Sequence, residues 1–157
     1  MNTRHIFFEE LDKLMAKDKD VIFITGDLGY SYMEGIQQKY PDQFINAGCI
    51  EQSMIGIVAG LAMTGKKPYV YSTVPFLLFR PLEQVRIDIT FQNLNVKLIG
   101  VSMSGFLGTT HNLLHNKEDI NVCRNIGLKY YIPMTNEAVA GIIKKTYKLN
   151  TPVYVRL

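Results

Sequence analysis

Residues 44–65 read FINAGCIEQSMIGIVAGLAMTG, a short apolar run followed by a glycine turn and an apolar helical stretch. The helix predicted over Gln52–Met63 is apolar nearly all round, which favours burial or a subunit interface. Glu51 lies at the N-terminus of this helix, where the helix dipole favours an acid for purely structural reasons. The alternative is a partly desolvated carboxylate held against a basic nitrogen of a ligand. Gly56 and Gly60 permit either ordinary packing or the close approach of a partner helix.

Short apolar runs alternate with helical patterns on both sides of this stretch. The predicted strands are Val21–Thr25, Phe44–Asn46, Tyr69–Val74, Val96–Ser102, Lys129–Ile132 and Val153–Leu157. Helices are predicted over about Arg4–Lys17, Gln52–Met63, Phe79–Asn93 and Asn136–Leu149, with another from near Ile120. This alternation predicts an α/β fold, a three-layer sandwich in which a mostly parallel sheet carries helices on both faces. Met103–Glu118 is a loop of about 16 residues, and loops of that length are usually functional or disordered.

Three residues are predicted to cap helices. Thr3 would cap the first helix, and Glu118 with Asp119 would cap the helix that begins near Ile120.

Composition narrows the classes of protein. The 157 residues are 47% hydrophobic with a formal net charge of +3, which predicts one folded domain over residues 1–157 and argues against disorder and nucleic-acid binding. No segment approaches the roughly 18 apolar residues of a membrane span, and acids interrupt the start where a secretory signal would be apolar. Cys49 and Cys123 lack metal or redox spacing, so we expect free thiols and a cytoplasmic protein.

Several spaced elements, taken in order, resemble the pyrimidine-binding domain of thiamine diphosphate enzymes, and most closely the transketolase group. The resemblance covers about Arg4 to Leu157, and its parts are Phe44, Gly48, Glu51, Gly60, Gly65, Pro68, Phe76 and Phe79. It implies the thiamine diphosphate-binding fold. It also implies that Glu51 hydrogen-bonds N1′ of the cofactor's aminopyrimidine, tuning the cofactor for loss of the thiazolium C2 proton.

The resemblance assigns further roles at the site. Phe76 and Phe79 would flank the aminopyrimidine, with Leu82 where the family often has a third aromatic residue. On spacing alone, the two phenylalanines fit a hydrophobic core better than a ligand site. Asp27 matches an acid near the thiazolium ring, although an Asx turn also explains it, and His111 matches a histidine that contacts the substrate.

Two positions depart from the family pattern. Ser102 stands where transketolases usually have a histidine, and Ile132 precedes Pro133 where the family often has a phosphate-binding arginine. These differences leave three alternatives open for the substrate sugar: it is unphosphorylated, it is bulkier or otherwise modified, or its phosphate is bound by other residues. The spacing of His111, His115 and Glu118 is a weak metal motif, so no metal site is predicted in this chain.

The sequence contains no Gly-Asp-Gly motif of the kind that, with a later asparagine, binds Mg²⁺ in this enzyme class. We therefore expect the diphosphate-binding domain and the Mg²⁺ ligands to come from another polypeptide, and the C-terminal transketolase domain to be absent. The leading hypothesis is the pyrimidine-binding subunit of a split transketolase-like enzyme acting on a sugar or sugar derivative. It would form a heterotetramer in which copies of this chain associate through the apolar helix. The alternatives are a beta-type subunit of a thiamine-dependent 2-oxoacid decarboxylase or dehydrogenase, and a non-catalytic binding module.

Overall fold

A computed structural model describes residues 3–101 and 118–157 of the chain. In these residues six strands form one sheet in the order β2-β1-β3-β4-β6-β5, and every neighbouring pair is parallel. The strands are β1 Val21–Thr25, β2 Phe44–Asn46, β3 Lys67–Thr73, β4 Lys97–Val101, β5 Lys129–Tyr131 and β6 Val153–Arg156. The predicted α/β fold with a parallel sheet is confirmed.

Helices cover both faces of the sheet. The α-helices are α1 Thr3–Met15, α2 Glu34–Lys39, α3 Glu51–Met63, α4 Leu82–Gln84, α5 Glu118–Ile126 and α6 Asn136–Tyr147. A 3₁₀ turn spans Pro41–Gln43, and two π-helical segments span Pro75–Phe79 and Val85–Phe91. No helix in residues 3–101 and 118–157 is long and apolar enough to cross a membrane.

The hydrophobic core is divided by the sheet into two clusters. Ile22 and Ile24 of β1 belong to the cluster under α3 and the π-helical segments, whereas Val21 and Phe23 belong to the cluster under α1 and α6. This division follows from the strand repeat, which turns alternate side chains to opposite faces. Because β1 is buried on both faces, it reads as a continuous apolar run.

The segment after β3 differs from the regular helix predicted over Phe79–Asn93. Short α4 lies between the two π-helical segments, and the backbone N–H of Arg80 donates to the carbonyl of Pro75, five residues back. Pro81 explains the interruption because it has no N–H to donate and its ring clashes with the carbonyl four residues earlier. Wide π-type turns are frequent at functional sites.

The structure differs from the predicted caps at Thr3 and Asp119. Thr3 is already helical within α1. Asp119 is fully buried in the first turn of α5, where its carboxylate accepts hydrogen bonds from the Tyr154 hydroxyl at 2.9 Å and from Nη1 of Arg156 at 2.9 Å and 3.1 Å. The Asp119 carboxylate, which the local sequence assigns to a helix cap, is therefore used in an ion pair with the distant Arg156.

Candidate active site

The candidate site lies at the carboxyl edge of the sheet, where β1, β2 and β3 end. Asp27 follows β1, Glu51 opens the helix after β2, and Phe76 follows β3. β1 lies between β2 and β3, so the chain runs outward from it in both directions, and α/β proteins bind ligands at such a switch point beyond the carboxyl ends of the strands. The topology thus gathers three of the sequence-predicted residues at one edge.

Glu51 is a buried carboxylate with a specific partner. Its side chain is only 7% exposed, and Oε1 accepts a hydrogen bond from Nη1 of Arg80 at 2.8 Å. A positive-φ glycine, Gly48 at +74°, turns the chain between β2 and α3 and so sets the carboxylate at the helix start. A dipole effect alone would leave such an acid in solvent, whereas this one is buried and paired across 29 residues of sequence.

Arg80 also covers the ring of Phe76. The Cζ atom of its guanidinium lies 3.6 Å from the ring centroid, a close cation–π stack. Phe76 and Arg80 are four residues apart at the wide turn, which brings both to one side. Our sequence reasoning missed Arg80, although an arginine four positions after an aromatic residue on a helical segment was an available signal.

The arrangement forms a slot for a flat group with N–H donors. A planar nitrogen cation, here the Arg80 guanidinium, lies on the Phe76 ring while donating to the buried Glu51. An aminopyrimidine shares the same planarity and donor chemistry, so the residues present fit that class of ligand. A cavity of about 380 Å³ opens beside this slot and is lined by Cys49, Ile50, Glu51, Gln52, Ser53 and Arg80.

Phe79 and Leu82 follow on the same wide-turn stretch. Phe79 is 37% exposed, which is high for a large aromatic side chain, and Leu82 is half-buried. Exposed apolar groups at this edge suit a ligand or partner surface, but their assignment to the cofactor stays a prediction.

Asp27 is held by a network between the first two strands. Its Oδ1 accepts hydrogen bonds from the Tyr30 hydroxyl and, at 3.2 Å, from Nδ2 of Asn46, and its backbone N–H donates to Oδ1 of Asn46 at 3.0 Å. The hydrogen bonds from Tyr30 and then Asn46 lower the pKa of the Asp27 carboxyl. The residue is exposed and has a φ of +58°, so the network fixes an ionised carboxylate at the open edge. Tyr30 and Asn46 were not singled out from the sequence.

A second, smaller cavity lies at the same edge. It measures about 150 Å³, and Arg4, Leu28, Gly29, Tyr30, Tyr32, Tyr71, Thr73 and Val101 line it. Within the described part of the chain, the buried hydroxyl of Thr73 finds no hydrogen-bond partner. A polar ligand would satisfy such a group.

The remaining candidate residues divide by location. Ser102, His111 and His115 lie outside the described residues. Over residues 3–101 and 118–157, no three His, Cys, Asp or Glu side chains are grouped closely enough to hold a metal ion.

The two cysteines differ in exposure. Cys49 is an exposed free thiol. Burial raises the pKa of the Cys123 thiol to about 12, which makes it unreactive.

Comparison with solved structures supports the architecture. A structure described as "Split gene transketolase, inactive beta4 tetramer" superposes with a TM-score of 0.86 at 28% identity, covering 99% of this chain and 50% of that one. The transketolase of Leishmania mexicana superposes with a TM-score of 0.84 at 20% identity, covering 98% of this chain and 24% of that one, and so shows the shared fold.

Comparison with curated sequences identifies the protein family. An apulose-4-phosphate transketolase subunit of Phocaeicola vulgatus is 37% identical over 159 residues, covering 98% of this chain and 50% of that protein. The 6-deoxy-6-sulfo-D-fructose transketolase subunit SqwH of a Clostridium species is 31% identical over 157 residues, covering 98% and 48%. The chain therefore spans about half the length of these relatives. Residues 1–157 match the family described as "Transketolase, pyrimidine binding domain", and the chain belongs to that family.

Proposed function

We propose that this chain is the pyrimidine-binding subunit of a split transketolase-like enzyme, which moves a two-carbon ketol unit between sugars or sugar derivatives. The observation that carries the proposal is the buried Glu51 carboxylate, which accepts a hydrogen bond from a flat nitrogen group stacked on Phe76. Relatives whose names include apulose-4-phosphate and 6-deoxy-6-sulfo-D-fructose support a sugar derivative as the substrate class.

The proposed cofactor is thiamine diphosphate, held between this domain and a diphosphate-binding domain. When bound, it supplies the nucleophilic thiazolium carbon that carbon–carbon cleavage requires. Glu51 would hold a proton at N1′ of the aminopyrimidine, and its burial strengthens that hydrogen bond because little water competes for the carboxylate. Phe76 and Phe79 would bind the ring between apolar faces, with Leu82 closing the pocket and excluding water.

Asp27 and His111 complete the proposed site. The hydrogen bonds that lower the pKa of Asp27 also hold its ionised carboxylate in place, so it can offer a fixed negative charge to the cationic thiazolium ring. His111 is proposed to contact the hydroxyl or carbonyl groups of the sugar, because an imidazole can donate or accept a proton near neutrality.

The proposed assembly is a heterotetramer with a diphosphate-domain subunit. That partner would supply the Mg²⁺ site, since the hard diphosphate oxygens of the cofactor call for a hard cation with oxygen ligands. Self-association of this chain would use the exposed face of α3, here called the α3 stripe, which consists of Ser53, Gly56, Ile57, Gly60 and Met63. Small and apolar residues in one stripe allow two helices to approach closely.

The proposed compartment is the cytoplasm. Both cysteines are free, and one of them, Cys49, is exposed. Free thiols are usual in a reducing compartment.

The test uses the chain assembled with its diphosphate-domain partner, thiamine diphosphate and Mg²⁺, and measures ketol transfer between sugars. We expect Glu51→Gln to lower kcat by about 100-fold or more, a loss typical of removing one proton-transfer group. The matched control is Glu137→Gln, because Glu137 also lies in the first turn of a helix but is exposed and follows β5, the edge strand at the opposite end of the sheet from β2.

Different outcomes separate the alternatives. A Glu51→Gln rate equal to that of the unsubstituted complex would overturn the catalytic proposal. Release of CO₂ from a 2-oxoacid in place of ketol transfer would identify the beta-type subunit of an oxoacid enzyme. Complex formation with no exchange of the cofactor's C2 proton would identify a binding module.

A further inference from the structure

Arg80 makes two contacts through its planar guanidinium group. Its Nη1 donates to Oε1 of Glu51 at 2.8 Å, and its guanidinium carbon lies 3.6 Å from the centre of the Phe76 ring. Glu51 is 7% exposed at the side chain whereas Arg80 is 45% exposed. The guanidinium therefore reaches inward from the solvent edge to a carboxylate that solvent hardly touches.

These are the two contacts that the proposed function reserves for the aminopyrimidine ring. A guanidinium and an aminopyrimidine are both flat, both carry N–H donors, and both stack on an aromatic face. Because Arg80 bridges Glu51 and Phe76, the ring face that it covers is the face directed toward the carboxylate. A ligand ring that stacks on that face and donates to Glu51 needs the volume that the guanidinium fills.

We propose that Arg80 is an intramolecular competitor of the aminopyrimidine, an inference that rests on the proposed function. Without cofactor, it pairs with the buried Glu51 and covers Phe76. Cofactor binding displaces the guanidinium toward the adjoining cavity of about 380 Å³, which Arg80 itself lines.

The physical benefit lies in the state without cofactor. A buried carboxylate without a partner is costly, and removal of one member of a buried pair leaves the other uncompensated. Arg80 compensates Glu51 until the cofactor supplies its own donor. Since the arginine side chain is partly exposed, it can return to water when it is displaced, at a small cost in solvation.

The test measures the Kd of thiamine diphosphate, by calorimetry in the presence of Mg²⁺, for the chain assembled with its diphosphate-domain partner. Arg80→Met keeps a long apolar side chain but removes the donors and the charge, and we expect it to tighten binding by about tenfold. Arg80→Lys retains the charge without the flat stacking surface, so its Kd should lie between the two. Arg86→Met is the control, because Arg86 pairs with the exposed Glu83 at 3.6 Å on the same segment.

A second readout is thermal unfolding of the same complexes. We expect Arg80→Met to lower the melting temperature without cofactor and to leave it unchanged at saturating cofactor, because Glu51 then has its other donor. This measurement separates competition from general damage to the fold.

Three results would overturn the inference. Weaker or unchanged cofactor binding by both Arg80 variants would mean that the guanidinium supports the cofactor or lies clear of it. If the unsubstituted complex binds cofactor and Glu51→Gln weakens that binding while Arg80→Met does not tighten it, the inference fails and the proposed function stands. If no complex binds thiamine diphosphate, both fail.

Discussion

At the scale of single residues, Lys97 is the most unusual titratable group in the core. It is 1% exposed, and its ammonium donates to Oδ1 of Asn95 and to the carbonyls of Leu149 and Thr151 at 2.9 Å and 3.0 Å. All three acceptors are neutral, so burial is only partly compensated, and it lowers the Lys97 pKa to about 8. The residue lies at the start of β4, away from the candidate site, and so affects stability rather than chemistry.

This group predicts a specific pH dependence of unfolding. Between about pH 8, the folded pKa, and about pH 10.5, the ordinary lysine pKa that applies to the unfolded chain, the unfolded state binds the additional proton. The contribution of Lys97 to the free energy of unfolding therefore rises with pH across that window and is flat below it. We expect the stability difference between the unsubstituted chain and Lys97→Met to change by about 3 kcal/mol from pH 8 to pH 10.5, in favour of the unsubstituted chain.

The comparison with Lys97→Met is needed because other groups act in the opposite direction. Burial raises the pKa of Cys123 to about 12 and that of Tyr71 to about 12, and each holds its proton longer when folded. Their contributions fall as pH rises through the unfolded values of about 9 and 10. Both contributions cancel in the difference, which urea unfolding measures. A pH-independent difference would contradict the assignment to Lys97.

At the scale of elements, β4 packs too tightly to accept any side chain at Gly100. A Cβ built there would lie 2.7 Å from Cε2 of Tyr154 and 2.9 Å from Cγ2 of Val74. β4 is central in the sheet and pairs with β3 and β6, so neither neighbour can move independently.

We expect Gly100→Ala to destabilise the fold by about 1–3 kcal/mol, since it overpacks a filled core. Gly141→Ala is the matched control. Gly141 lies within α6 with nothing within 4 Å of its Cβ position, so alanine should stabilise the chain by about 0.5–1 kcal/mol. Urea unfolding of both variants measures the difference, and equal effects of one sign would contradict this account of the packing.

Elements with a strong local signal were predictable from the sequence. β1 is a five-residue buried strand with four apolar residues and a threonine. α3 ends at Met63, two residues before the positive-φ Gly65 that was expected to stop it. Pro81 was a local signal for a break in the helix, but the π-type turns on either side of it were not predictable, because they depend on how the broken helix packs against α3. Asp119 was assigned to a cap for a similar reason, since its partner Arg156 is 37 residues away.

The candidate site shows the same division. The position of Glu51 follows from a strand, a glycine turn and a helix that are adjacent in sequence, so the sequence could place it. Its pairing with Arg80 spans 29 residues and requires the wide turn after β3. Local patterns can therefore locate a candidate carboxylate, whereas its partner depends on tertiary packing.

At the scale of the whole molecule, α3 exposes apolar side chains on its outer face. Ile57 is 44% exposed and Met63 58% exposed on the α3 stripe, next to Gly56 and Gly60, which leave open space above the helix. Contiguous exposed apolar surface on a folded domain is usually an interaction site. The stripe begins two residues after Glu51, so a second copy docked there would close over the candidate site's edge of the sheet.

The exposed apolar surface of the α3 stripe predicts that one substitution there will disrupt self-association without unfolding the chain. Ile57→Asp places a charge where two copies would meet, and the loss of a central apolar contact should weaken dimerisation by about 30-fold or more. Met134→Asp is the control, because Met134 is 84% exposed but lies between β5 and α6. Sedimentation equilibrium should show a lower mass for Ile57→Asp alone, with thermal unfolding confirming that both variants fold. An unchanged mass for Ile57→Asp, or an equal loss in Met134→Asp, would place the self-association surface elsewhere.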